Sequence, residues 1–264
     1  MAVRDLTLLH LRRLRPLDLV NLLAIAVTVL AGLFILTGTA PILFVLPVVA
    51  ALGLDGILRS HPLGRLRGGA GTATALLLPA AFVVAAALFF RYASVGYWGV
   101  LASLATGVMF AGVCYAEYAV LDHEDANALP RTILLIAAFI GLYGLLAALY
   151  AYNLSAPAAA LLCGLAAAIF AVELFRDAEL SAGDQALYGL VSGIVVAQAR
   201  WALQFVRLDG LLAAMLLLLV FYTVTGVALA AIVRRLDQRT AAEYALVAVA
   251  GAVVIVAARL IVAG

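Results

Sequence analysis

The chain has 264 residues, of which 67% are hydrophobic and 11% charged, and its formal net charge is +2. A soluble domain keeps about a quarter of its residues charged, so this composition excludes a globule in water. With no basic domain it also excludes a nucleic-acid binder. All sixteen basic residues are arginine; without lysine there is no amine for a retinal-type Schiff base.

Residues 1–16 set Arg4, Arg12, Arg13 and Arg15 among leucines, a pattern that predicts a short basic segment lying on an anionic leaflet. The first apolar run carries no cleavage site of the A-x-A kind, so no removable signal peptide is expected. From residue 17 onward the chain reads as a single helical membrane domain. Apolar runs of about 18 residues or more cross a hydrocarbon core of roughly 30 Å as helices, and strand-like alternation is absent. The fold class is therefore all-α, a polytopic integral membrane bundle. Spans are predicted near 18–36, 40–58, 72–90, 97–120, 132–152, 156–175, 185–206, 210–232 and 241–262. Turn-forming residues punctuate them at Gly38-Thr39-Ala40-Pro41, His61-Pro62, Gly68-Gly69, Pro130 and Ser155-Ala156-Pro157. The seventh run is the most polar, and a full crossing there must include Arg200, Trp201 and Gln204. A re-entrant seventh segment would leave eight spans and place Arg234, Arg235 and Arg239 outside, against the positive-inside bias.

With the N-terminus inside, the inner side collects Arg59, Arg65, Arg67, Arg131, Arg176, Arg234, Arg235 and Arg239 besides the four N-terminal arginines. Only Arg91, Arg200, Arg207 and Arg259 remain in or near the outer half. Nine spans, N-terminus inside and C-terminus outside, is the expected topology, in the cell membrane. A faint repeat links Glu117, Asp122 and Glu124 to Glu173, Asp177 and Glu179, and Ala116-Glu117-Tyr118 recurs as Ala242-Glu243-Tyr244. Hairpin duplication and biased composition both explain it.

No catalytic signature is present: no H-E-x-x-H, Walker loop, G-x-S-x-G or C-x-x-C. His10, His61 and His123 fall in polar segments rather than in spans, so no haem, metal or other cofactor is expected. Cys114 and Cys163 read as small core hydrophobes. Gly68-Gly69-Ala70-Gly71 reads as a loop before a helix. Gly189 and Gly193, with Ser192 beside them, form a GxxxG pattern that predicts close helix packing.

Ionisable residues at membrane depth are the functional candidates. Asp55, Glu117, Glu173 and Glu243 each lie within two turns of the inner end of a span. Together they would bind a cation or pass protons; separately they would face water or pair with Arg59, Arg176 and their neighbours. Arg200, Gln204 and Arg207 follow an i, i+4, i+7 pattern on one helix face, and Arg259 reaches a similar outer level. Guanidinium forks suit phosphate or carboxylate, which points to an anionic lipid headgroup or small molecule. Against it stands snorkelling of arginine to the outer headgroups, with Arg207 paired to Asp209. Three function classes follow: a transporter or carrier of an anionic lipid or small molecule, a scaffold subunit of a membrane complex, or a membrane enzyme acting on a lipid-linked anionic substrate. The near absence of loops argues against the enzyme, and membrane lipids are the expected partners.

Overall fold

The computed structural model describes residues 16–60, 69–94, 96–122, 128–152, 154–178, 180–206 and 208–263. The N-terminal basic segment, the three histidines and Arg207 lie outside the described residues. Among those described are nine long helices and no strand: α1 (Pro16–Thr37), α2 (Ala40–Ser60), α3 (Gly69–Ala93), α4 (Trp98–Asp122), α5 (Ala128–Ala151), α6 (Ala156–Phe175), α7 (Ala182–Leu203), α8 (Gly210–Ile232) and α9 (Gln238–Ala263). All nine are long and apolar enough to cross a membrane. In lipid the backbone must satisfy its own hydrogen bonds, and a helix does so within one segment.

The punctuation acts as its chemistry requires. Gly38 ends α1 at φ +70°, a left-handed conformation open to glycine, and its amide donates to the Phe34 carbonyl at 2.7 Å. Pro130 does not precede its helix as the sequence suggested. It sits in the first turn of α5, where an amide hydrogen has no intrahelical partner to lose. Pro47 and Pro79 lie inside α2 and α3, as membrane helices tolerate. The polar seventh segment is a full 22-residue helix. It begins three residues before the predicted start because Ser181 caps it, its hydroxyl accepting from the Asp184 amide at 3.2 Å.

Buried side chains form two cores. One gathers α1 and α2 through Val27, Phe34, Leu46 and Leu54; the other gathers α5, α6, α7 and α8 through Leu142, Phe170, Val196 and Phe221. Helices α3 and α4 contribute to both, Phe82 and Val113 to the second, Val83 and Cys114 to the first. Adjacent residues thus serve opposite sides of the same helix.

The closest helix contact is between α6 and α7. A Cβ at Gly164 would stand 2.8 Å from the Gly193 carbonyl oxygen, and one at Gly189 2.9 Å from the Ala168 carbonyl oxygen. The GxxxG pattern therefore faces α6, and backbones meet where side chains elsewhere would hold them apart. Helix α9 packs on α8 alone among its principal contacts. Ile255 is its only fully buried side chain among those described, while Leu246, Val253, Val254 and Leu260 are exposed.

Candidate functional site

Charged and polar side chains gather at the two ends of the bundle. At the end where α1 begins, the Tyr115 hydroxyl of α4 hydrogen-bonds Asn21 of α1 at 2.7 Å. Nearby, Arg176, just past the end of α6, donates through one terminal nitrogen to both carboxylate oxygens of Glu117 at 2.9 and 3.1 Å and to Glu173 at 3.0 Å. Glu117 is 1% exposed, and the side chains of Glu173 and Arg176 are 8% and 13% exposed. Carboxylates at such depth need partners, since an unpaired buried charge is strongly destabilising. Arg176 supplies one to both and so ties α4 to α6. Beside the triad a cleft of about 320 Å³ is lined by Arg131, Thr132, Leu135, Glu173, Arg176 and Leu229.

The other two acids of the predicted inner set stay on their own helices. Asp55 pairs with Arg59 one turn on, at 2.8 Å. Glu243 pairs with Arg239 at 3.2 Å and is 64% exposed. Both are i, i+4 pairs of the kind that contribute only a few tenths of a kcal/mol. The structure joins Glu117 and Glu173 and does not bring Asp55 or Glu243 to them.

At the opposite end, Arg91 of α3 donates to the carbonyl oxygen of Ile35 at 2.8 Å, supplying a donor to the last turn of α1 where no intrahelical amide remains. It also lies close enough to Tyr152 to offset part of the rise that burial imposes on that phenol. Across this end, the Arg200 guanidinium lies 4.1 Å from the centre of the Tyr150 ring. That is a cation–π contact between α7 and α5. The Cys163 thiol of α6 lies near enough to feel the Arg200 charge, and Gly210 brings the start of α8 against Tyr150, its Cβ position 3.3 Å from the tyrosine Cβ. The Arg200 Nε is buried and has no hydrogen-bond partner among the described residues. An unsatisfied buried donor on a charged group costs free energy, and an incoming acceptor recovers it.

Of the other residues predicted to share this site, Gln204 is exposed and forms the C-cap of α7. Arg259 is partly buried on α9, which makes no extended contact with α7. Sequence reasoning did not select Tyr150 and Cys163 as companions of Arg200. An aromatic residue at a membrane interface and a cysteine in an apolar run carry no local signal of each other. Nor did it select Arg131 and Thr132 as walls of the cleft, since nothing in their spacing marks one.

No curated protein and no solved structure matches the chain. A family model does, over residues 21–258, running from α1 into the last turns of α9 and taking in Glu117, Glu173, Arg176 and Arg200. The chain belongs to the family described as Protein of unknown function (DUF5656).

Proposed function

We propose that this protein binds an anionic group at Arg200 within the membrane, as a carrier or binder of an anionic lipid or small molecule. The observation that supports this is the buried Nε, without a hydrogen-bond partner among the described residues, of a guanidinium that lies against the Tyr150 ring. The aromatic face orients the fork but does not satisfy its donor set, since guanidinium has five N–H groups and no acceptor. A phosphate or carboxylate supplies charge and acceptors together, and such charge-assisted bonds are roughly twice as strong as neutral ones. The arginine distribution favours placing this site in the outer half of the cell membrane, with the N-terminal end of the bundle inside. At that inner end, the Glu117–Arg176–Glu173 triad favours a structural role, because its charges are spent holding α4 to α6.

Trp201 adjoins Arg200 and is half exposed, so its fluorescence reports on the site once Trp98 is replaced by phenylalanine; the chain has only these two tryptophans. Titration with inorganic phosphate and with dihexanoyl phosphatidic acid should shift Trp201 emission saturably. Arg200→Lys should weaken the response although the charge is kept, because the planar fork is lost, and Arg200→Gln should abolish it. A response to phosphatidic acid alone assigns the ligand as a lipid; a response to both assigns the phosphate group. Identical titrations of the parent and Arg200→Gln, or no response in the parent, overturn the proposal.

A further inference from the structure

We infer that the groove between α8 and α9 is an acyl-chain site for an anionic phospholipid, with Arg259 taking the headgroup phosphate. This site stands apart from Arg200 and does not depend on it.

The register of the two helices carries the first step. A Cβ on Gly226 would touch the Tyr244 ring, and one on Gly251 would stand 2.8 Å from a Leu219 methyl. As residue numbers rise on one helix they fall on the other, so α8 and α9 are antiparallel, and Arg259 stands level with the start of α8. Between them lies a groove of about 540 Å³ whose lining includes Phe139, Met215, Leu219, Tyr222, Gly251 and Val254. Its walls are almost wholly hydrocarbon and offer nothing to a polar ligand.

Val247, Gly251, Val254 and Ile255 carry the groove along one face of α9. Their spacing of four, three and one residues is that of a helical stripe, and the next positions on it are Ala258 and Arg259. Both are partly buried, whereas Val256, Ala257 and Leu260 are exposed. Arg259 therefore continues the groove face of α9, one turn beyond Ile255. Among the described residues Arg259 forms no ion pair, and Asp209, the nearest described acid by register at the cap of α8, is exposed and unpaired with it.

Length and charge select the occupant. At about 1.5 Å per residue, Val247 to Arg259 spans about 18 Å. One leaflet of a hydrocarbon core of about 30 Å takes up about 15 Å, so the stripe matches one acyl chain with its phosphate at the basic end. A partner helix would bury the apolar wall equally well but would leave Arg259 without a counter-charge. An anionic lipid satisfies both.

The test is native mass spectrometry of the whole chain in detergent with dioleoyl phosphatidylglycerol or dioleoyl phosphatidylcholine added. The parent should retain phosphatidylglycerol over phosphatidylcholine by about fivefold, the factor that one basic side chain contributes near a membrane surface. Arg259→Gln should bring that ratio close to one, while Arg259→Lys keeps most of it. Val254→Trp, which fills the groove from an exposed position, should reduce retention of both lipids. The same comparisons are made in an Arg200→Gln background, where any preference that Arg200 contributes is removed and that of Arg259 should remain. Equal retention of the two lipids by the parent, or a preference that survives Arg259→Gln in that background, overturns the inference. So does a preference lost only in Arg200→Gln, which would leave the Arg200 reading standing. Displacement of phosphatidylglycerol by inorganic phosphate, with no effect of Val254→Trp, would also overturn it, because the acyl chain would then have no part.

Discussion

Arg176 and Glu117 lie 59 positions apart in the chain and 2.9 Å apart in the fold, on helices that α5 separates in sequence. Their contact, shared with Glu173, closes the end of the bundle where α1 begins. Removal of the cation takes away the partner that these two buried carboxylates share. Arg176→Gln should therefore destabilise the protein by about 3–5 kcal/mol, the usual effect of breaking a buried ion pair by removing one member. Glu117→Gln should cost less, because Glu173 still pairs the guanidinium and the amide keeps an acceptor. Thermal unfolding in one detergent compares the two; an Arg176→Gln midpoint equal to that of Glu117→Gln would show that the triad does not hold α4 to α6.

The α6–α7 contact makes a second prediction. Gly164→Ala puts a methyl 2.8 Å from the Gly193 carbonyl oxygen, and backbone cannot yield as a side-chain tip can. It should cost about 1–3 kcal/mol, the range for overpacking a tight contact. Gly112→Ala in α4 meets nothing within 4 Å, and it should stabilise by up to about 1 kcal/mol through lowered chain entropy in a helix. Unfolding midpoints of opposite sign relative to the parent confirm the pair; a neutral Gly164→Ala contradicts the packing.

Acid should loosen the start of α9 through Asp237. Its carboxylate accepts from the Thr240 amide at 2.7 Å, an N-cap bond. This bond and the Thr240 hydroxyl hold its pKa below the ordinary 3.8. For a depressed carboxylate, the stabilisation is present above the unfolded value and is lost as pH falls through the folded one. Amide exchange in the first turn of α9 should thus show constant local stability above about pH 4 and a decline below it. Asp237→Asn keeps a capping acceptor that does not titrate, so its profile should stay flat. A decline of equal size in Asp237→Asn would assign the acid response to another group.

Composition and apolar run length alone determine the helical membrane class of this chain and the nine helices, among the described residues, that are long and apolar enough to cross a bilayer. In hydrocarbon, both the helix and its minimum length follow from unsatisfied backbone groups and bilayer thickness, and neither needs a tertiary contact. Capping residues were legible for the same reason, as with Gly38, although Ser181 and Pro130 moved the ends of their helices by a few positions. Which charges meet was not legible. Four acids at one depth carried equal sequence signals, yet Glu117 and Glu173 came to a shared guanidinium while Asp55 and Glu243 found arginines one turn away. Arg200, Gln204 and Arg259 likewise shared a predicted level, but Arg200 lies against Tyr150, Gln204 is exposed and Arg259 sits partly buried on α9. Sequence periodicity reports the depth of a side chain and its angle around one helix. The partner across the interface depends on how that helix is rotated against its neighbours, and shape-dependent packing over the whole bundle decides that rotation. Here the backbone contact of Gly164 with Gly193 seats α7 against α6 and carries Arg200 to the site where it is found.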